Sequence, residues 1–190
     1  MADGAPGIFF PVVGPSGAGK DTLLDAVRQG LAADPRFVFA RRTITRPADA
    51  GGEAHRAVSE AAFEAEDAAG RFALRWRAHG LAYGIPVEIE DALAAGRHVI
   101  ANLSRAAVAE AAARYASLCV LHITAPADVL RARLAARQRE DRAVQAARAA
   151  RTAAIPTNVT VVEIVNDGTV EAGARQLLDA LQAVATNGAR

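Results

Sequence analysis

The sequence predicts an α/β fold of three layers, with a mostly parallel central sheet between helices. Short apolar runs bounded by turn residues alternate with segments of helical periodicity, the pattern of parallel strands joined by crossover helices. A glycine-rich stretch, GPSGAGKD at residues 14–21, stands directly between the first apolar run and the first helical segment. With 190 residues, 52% of them apolar, the chain can bury a substantial core.

The core elements follow one another in a regular order. The first strand is predicted at residues 8–13, and the helix after the glycine-rich stretch carries apolar residues on one face, namely Leu23, Leu24, Val27 and Leu31. Three later apolar runs predict further buried strands, at residues 97–103, 117–124 and 159–166. The final helix is expected from about 170 to 184.

Two segments interrupt this alternation. Residues 37–85 contain short extended pieces, the turn sequence TRPADAGGE and a helical segment that begins at the plausible cap Ser59. They predict a small lobe inserted in the main sheet. Residues 133–151 are rich in arginine, and so many like charges would repel one another without an anionic partner nearby.

Composition narrows the class of protein. The formal net charge is +1, which gives no electrostatic case for binding nucleic acid. No apolar run approaches the length of a membrane span, so we expect no membrane partner. The N-terminal residues lack the positive region of a secretory signal, and the single Cys119 fits a reducing compartment. A cytoplasmic location is therefore expected.

The glycine-rich stretch matches the Gly-x4-Gly-Lys part of a phosphate-binding loop (P-loop), in the required place between a strand and a helix. Glycines let the backbone turn tightly and direct N–H groups at phosphate oxygens, and the helix dipole adds to the attraction. Lys20 is the only lysine among 22 basic residues, which marks a place where a compact, mobile ammonium is needed. We expect the following residues to bind the phosphates of ATP: Gly14, Pro15, Ser16, Gly17, Ala18, Gly19, Lys20, Asp21 and Thr22.

An aspartate follows the lysine, where such loops normally place the hydroxyl ligand of Mg²⁺. A carboxylate is a competent oxygen ligand for this ion, so Asp21 is predicted to approach Mg²⁺ directly or through water, with Thr22 beside it. Two alternatives stay open: Asp21 is a favourable charge at a helix start, or the whole stretch is a glycine-rich turn that binds no ligand.

The order of four motifs resembles that of the guanylate kinases. These are GPSGAGK, TRPADAGGE, HGLAYG and VEIVND, and the resemblance runs from about Phe9 to Leu181. It implies a single P-loop kinase domain over residues 1–190, with a core at about 8–36 and 86–185. It further implies an acceptor-binding lobe at about 37–85 and an arginine-rich lid at about 137–151.

The positions that read guanine in that family differ here. Leu74 stands near the place of a base-binding glutamate, and Ile85 follows YG in place of a hydroxyl residue. The strand end that carries carboxylates in guanylate kinases holds Asn102 and Ser104. A pocket that pairs the N–H groups of a base loses recognition heavily without those acceptors, so guanine is a poor candidate acceptor.

The chain is more similar to the ribose 1,5-bisphosphate phosphokinases of phosphonate utilisation. The similarity rests on GPSGAGKD, RRTITRPADAGGEAH, FALRWRAHGLAYG and ANLSRA. It implies transfer of the γ-phosphoryl group of ATP to the 1-phosphate of a small phosphorylated sugar, ribose 1,5-bisphosphate. The products would be 5-phosphoribosyl 1-diphosphate and ADP, and the implied cofactors are ATP and Mg²⁺.

The resemblance also implies roles for individual residues. The lid arginines that close over the transferring group, together with Lys20, correspond to Arg137, Arg139 and Arg148. The acceptor ligands correspond to Arg46 and, in support, Arg42, Glu53 and Tyr83. Asn166 corresponds to a residue on the adenine side.

Each role has a plainer alternative. The lid arginines would equally pair with Glu140 or Asp141 on the surface, and Asn166 would equally open the turn before the last helix. Arg75 and Arg77 are further candidate cations, but their alternation favours the solvent face of an edge strand; Arg105 is a third candidate.

Two other functions stay in play for the whole chain. One is a nucleoside monophosphate kinase with a changed base preference, and the other is a non-catalytic guanylate kinase-like binding module. The loss of the guanine-reading positions weighs against the first, and the retained lysine weighs against the second. The sequence leaves the oligomeric state open, with a homodimer compatible.

Overall fold

The structure is a computed structural model that describes residues 5–49, 53–136 and 154–187. The strands within these ranges are β1 (Phe9–Val13), β2 (Phe37–Phe39), β3 (Thr43–Ile44), β4 (Arg56–Ala57), β5 (Phe72–Ala78), β6 (Leu81–Pro86), β7 (His98–Asn102), β8 (Cys119–Thr124) and β9 (Thr160–Val165). The helices are α1 (Lys20–Gly30), α2 (Glu60–Ala68), α3 (Ile89–Ala94), α4 (Val108–Arg114), α5 (Ala127–Ala136) and α6 (Val170–Asn187), with a 3₁₀ turn at Arg105–Ala107.

A five-stranded sheet in the order β2-β7-β1-β8-β9 forms the centre of the fold. Every neighbouring pair is parallel, which confirms the predicted mostly parallel sheet. Because β1 lies between β7 and β8 and is parallel to both, the carboxyl ends of these three strands lie side by side at one edge of the sheet. Ligand sites in open α/β sheets lie at such edges, where the strand order reverses.

Two apolar layers cover the sheet. On one face, α1 and α6 pack against β1 and β8 through residues that include the fully buried Leu23, Leu177 and Leu181. On the other face, α3 and α4 enclose a second cluster that includes Val99 and Val108. The predicted apolar face of the first helix is therefore confirmed.

A smaller sheet in the order β4-β3-β6-β5 lies beside the core. β5 and β6 form an antiparallel hairpin whose two-residue turn is His79–Gly80. Both turn residues have positive φ, 54° and 72°, as in the turn type that matches the twist of paired strands. Helix α2 packs on this sheet through Phe63, and the Ser59 hydroxyl accepts from the Ala62 N–H at 3.2 Å, as a cap should.

The observed element ends differ slightly from those expected. β7 starts at His98 because the Arg97 N–H donates to the Ala92 carbonyl in a turn, and α6 continues to Asn187, which buries Ala185. β2, the first strand of the segment 37–85, pairs with β7 in the larger sheet. No helix in the described ranges is long and apolar enough to span a bilayer.

Candidate active site

The glycine-rich loop leaves β1 and enters α1 at the carboxyl edge of the large sheet. Gly14, Gly17 and Gly19 have φ values of 153°, 83° and 87°, which strain residues with a β-carbon. A β-carbon on Gly14 would lie 2.0 Å from the Ile123 carbonyl oxygen, and one on Gly19 would lie 2.5 Å from the Asn166 amide nitrogen. Glycine is therefore required at both positions, as expected for this loop.

Lys20 occupies the inner side of the loop. Its Nζ donates to the carbonyl oxygens of Gly14 at 2.8 Å and of Pro15 at 3.0 Å. Burial lowers the pKa of the ammonium from 10.5 to about 8, partly offset by Asp21. A buried cation held by two neutral carbonyls gains charge compensation when an anion enters the loop, which suits a ligand with several phosphate oxygens.

Asn166, at the end of β9, fastens the loop from outside. Its side-chain amide donates to the Ala18 carbonyl oxygen at 2.8 Å, and its backbone N–H donates to the Thr124 carbonyl oxygen. The Oδ1 is buried without a partner in the described residues and lies close to Gly173. The observed role of this amide is to hold the loop, so the expected hydrogen bond to a nucleotide base stays a prediction.

A cavity of about 300 Å³ lies on the same side of the loop. Its lining combines loop, helix and strand-end residues: Gly17, Gly19, Thr22, Leu23, Arg133, Asn166, Gly168 and Val170. Arg133 donates to the Asn166 carbonyl oxygen at 3.1 Å, so a cation borders the cavity. This space adjoins the phosphate-binding loop.

Asp21 points to the opposite side, away from Thr22, as adjacent helix residues do. Its Oδ1 accepts from Asn102 Nδ2 at 2.9 Å, and the same nitrogen donates to Glu53 Oε2 at 2.9 Å. Asp21 and Glu53 therefore meet at the junction of the loop and the lobe, whereas Thr22 lines the cavity. The described residues hold no cluster of three or more His, Cys, Asp or Glu side chains arranged for a metal.

The predicted acceptor ligands come together around Glu53. The Arg42 guanidinium forms an ion pair with Glu53, and both side chains are largely buried. Arg42 also lies over the Tyr83 ring, 5.3 Å from its centroid. Tyr83 stacks on Trp76 with centroids 5.3 Å apart and planes 3° apart. Three of the four predicted acceptor ligands thus form one connected group, to which Trp76 is an addition.

Arg46 lies next to this group through a buried histidine. Its Nη2 is 3.2 Å from His55 Nδ1, and the Arg46 carbonyl oxygen is 3.0 Å from His55 Nε2. His55 Nδ1 also contacts the Glu53 carbonyl oxygen at 3.0 Å. The Arg46 Nε is buried with no partner in the described residues. Arg46 lines a cavity of about 430 Å³ with Pro47.

Two of the positions that differ from guanylate kinases are occupied by apolar core residues. Leu74 and Ile85 are opposite each other in the β5–β6 hairpin, and both are fully buried. They pack in the apolar cluster under the large sheet. This part of the lobe therefore offers no side-chain acceptor for the N–H groups of a purine.

The other candidate arginines differ in whether their side chains form ion pairs. Arg75 pairs with Asp67, and Arg77 pairs with Glu60 on α2. Their alternation therefore reflects the outer face of the lobe, the alternative that the sequence favoured. The Arg105 side chain has no ion pair or hydrogen bond with the described residues, and it lies near enough to Lys20 to lower the pKa of that ammonium. The predicted lid residues Arg137, Arg139 and Arg148 lie outside the described residues.

Besides Trp76, two polar residues that contact the predicted ligands were not predicted themselves. Asn102 was noted only for lacking a carboxylate, and its contacts to Asp21 and Glu53 become visible when β7 is placed beside β1. Position alone could have indicated it, since polar residues at carboxyl ends of neighbouring parallel strands converge. His55 carries no pattern that predicts its contacts with Arg46, because its partner backbone belongs to an irregular turn.

Comparison with known proteins shows which proteins share this fold and this loop. The search against protein-family models returned no match. The chain superposes on a guanylate kinase from Anaplasma phagocytophilum with a TM-score of 0.67 over 95% of this chain and 87% of that one, at 18% identity. The architecture and the phosphate-binding loop together are those of the P-loop kinase fold of the guanylate kinase type.

Sequence relatives narrow this class. The chain is 46% identical to a ribose 1,5-bisphosphate phosphokinase of Brucella melitensis, covering 97% of both chains. It is 52% identical to the bifunctional ribose 1,5-bisphosphokinase-thymidine phosphorylase of Azorhizobium caulinodans, over 93% of this chain and 26% of that protein. The chain thus spans about a quarter of that bifunctional relative. It belongs to the ribose 1,5-bisphosphate phosphokinase family.

Proposed function

We propose that this chain transfers the γ-phosphoryl group of ATP to the 1-phosphate of ribose 1,5-bisphosphate, giving 5-phosphoribosyl 1-diphosphate and ADP. The observation that carries the proposal is the pairing of an intact phosphate-binding loop with a lobe that has cations in place of a base pocket. Lys20 is an electrostatic neighbour of Arg42 and Glu53, and Arg46 lies in the same lobe as Arg42. Leu74 and Ile85 close the place where guanine would be read.

The donor side is built to bind phosphate. Phosphoryl transfer depends on in-line positioning and charge neutralisation more than on covalent chemistry. Gly17 and Gly19 shape the backbone around the donor phosphates, and the Lys20 ammonium exchanges the carbonyls of Gly14 and Pro15 for phosphate oxygens. The cavity beside Asn166 takes the nucleoside.

The acceptor side supplies cations for a sugar with two phosphates. Arg46 lines the larger cavity of the lobe, and planar guanidinium groups bind phosphate oxygens in pairs. Arg42 is held by Glu53 and faces Tyr83, where it orders the lobe next to the loop. We further propose that residues of about 37–85, apart from β2, form the acceptor lobe, and that about 137–151 form a lid whose Arg137, Arg139 and Arg148 act on the transferring group.

The residues at the junction fit a Mg²⁺ ion that accompanies ATP. Asp21 and Glu53 both accept from the one Asn102 nitrogen, so two carboxylates lie close together, and hard carboxylate oxygens are what this ion prefers. Such an ion would neutralise charge on the β- and γ-phosphates. Thr22 faces the cavity and stays a second predicted ligand. An Asp21→Ala variant with unchanged Mg²⁺ affinity in the presence of ADP would remove Asp21 from this role.

An acceptor panel tests the proposed reaction. ADP release is measured with ribose 1,5-bisphosphate, ribose 5-phosphate, GMP and AMP at equal concentration. The proposal predicts the largest kcat/KM with the bisphosphate. A preference for GMP would identify a nucleotide kinase, and no turnover with any acceptor would favour a binding module. The cytoplasmic location, supported by the buried free thiol of Cys119, and the homodimer stay predictions.

A further inference from the structure

Asn102 ends β7 at the junction of the two predicted ligand sites. β7 is the neighbour of β1, and Asn102 is the register partner of Val12, two residues before the phosphate-binding loop. Only 7% of Asn102 is exposed. Its position therefore places a buried amide between the first turn of α1 and the segment that carries Glu53.

The amide nitrogen serves two carboxylates at once. Nδ2 donates one hydrogen to Asp21 Oδ1 and the other to Glu53 Oε2, each at 2.9 Å. Two carboxylates this close repel each other, and the shared donor compensates them both. An aspartate at this position would add a third negative charge and remove the donor, so an amide is required for this arrangement.

The connection continues into the lobe. Glu53 holds Arg42 in an ion pair, and Arg42 lies over both rings of the stacked pair, 5.3 Å from Tyr83 and 6.0 Å from Trp76. Asp21, Asn102, Glu53, Arg42 and Trp76 therefore form an unbroken chain of contacts. One end lies beside Lys20 in the loop, and the other is an aromatic wall of the acceptor lobe.

We propose that Asn102 is a positioning residue that couples occupation of the nucleotide site to the arrangement of the acceptor lobe. The inference rests on the proposed function only in that it takes the loop to bind nucleotide. When charged phosphates enter the loop, the electrostatic environment of Asp21 changes, and so does the strength of its hydrogen bond from Asn102. Because the same nitrogen also donates to Glu53, the strength of that second hydrogen bond changes as well. The hold of Glu53 on Arg42 changes with it. Binding linkage is reciprocal, so an acceptor that engages Arg42 alters nucleotide affinity in turn.

The chain carries its own reporter, since Trp76 is the only tryptophan. The full chain is titrated with ADP and Mg²⁺, without any sugar, while Trp76 emission is recorded and calorimetry measures binding. We expect the emission to change as the loop fills. In Asn102→Ala, most of this emission change should be lost, although calorimetry still shows saturation.

A matched control removes a carboxylate of the lobe outside this chain of contacts. Asp67 pairs with Arg75 on the outer face, so Asp67→Asn should keep the full Trp76 response. If Asn102→Ala fails to fold, Glu53→Gln serves as the second variant, because it weakens the next link while keeping the side chain's shape. It should silence the response as well.

The outcomes separate the inference from the proposed function. Saturable binding of ADP with no emission change in the unaltered chain would overturn the coupling alone. A full response in the folded variants of Asn102 or Glu53 would also overturn it. Absence of ADP binding would overturn the nucleotide site and the coupling together, whereas failure of the acceptor panel would leave the coupling intact.

Discussion

Asn166 and Ala18 are 148 positions apart in the chain, and the side-chain amide of one donates to the carbonyl oxygen of the other at 2.8 Å. This bond ties the end of β9 to the phosphate-binding loop. The glycine at position 19 is required for it, because a β-carbon there would collide with the amide. The shape of the loop therefore depends on a residue near the other end of the domain.

Replacing Asn166 by alanine should weaken ATP binding. The Ala18 carbonyl loses its partner, and an unsatisfied buried acceptor costs about 1–3 kcal/mol. Part of that loss is expected as a KM for ATP raised about tenfold. Steady-state kinetics and thermal unfolding measure the two effects. Asn158→Ala, in an exposed turn before β9, should match the unaltered chain, and an unchanged KM in Asn166→Ala would contradict the tie.

Nucleotide affinity should fall as pH rises above about 8. In the free chain, burial lowers the pKa of Lys20 from 10.5 to about 8, and bound phosphates would favour the charged form. Below about pH 8 the ammonium is already present, so affinity is level there. Above it, binding must take up a proton and affinity declines by up to about tenfold per pH unit.

Calorimetry with ADP across this range measures the effect. Lys20→Arg is the control, because a guanidinium stays protonated throughout and should remove the pH dependence while lowering affinity. Constant affinity in the unaltered chain to about pH 9.5 would show that Lys20 does not change its charge in this range.

Restoring a guanine-reading carboxylate should not create a guanylate kinase. Leu74 is fully buried in the apolar cluster, so Leu74→Glu places an unpaired charge in the core and should cost several kcal/mol of stability. Thermal unfolding and GMP turnover test this. Val161→Glu, at a position that is 41% exposed, should change stability by about 0.5 kcal/mol or less. Gain of GMP activity by a stable Leu74→Glu protein would refute the assignment of this position to the core.

Cys119 should resist thiol reagents in the folded chain. It is buried in β8, and burial raises the pKa of its thiol to about 11. The reactive thiolate is therefore scarce at about pH 8. A disulfide reagent should label it slowly in buffer and rapidly in denaturant. Rapid labelling of the folded chain would mean that this part of the sheet opens readily.

The local patterns of the sequence were sufficient for the core but not for the junction between sites. The helical spacing of the apolar residues predicted the buried face of α1, and Leu23 on that face packs against the sheet. The loop was recognisable because its glycines and lysine have fixed spacing. The two hydrogen bonds of Asn102 could not be recognised in this way, since they join Asp21 and Glu53 across three separate segments of the chain. Such contacts depend on the register of the strands and on the geometry of the crossover connections, which local sequence patterns do not predict.

Phosphorus NMR of the reaction products is the most direct test of the proposed chemistry. The chain is incubated with ATP, Mg²⁺ and ribose 1,5-bisphosphate, and the spectrum is followed to completion. We expect the paired signals of a new diphosphate ester on C1, an unchanged monoester on C5 and one equivalent of ADP. An intact bisphosphate spectrum in a sample that converts GMP to GDP would contradict it.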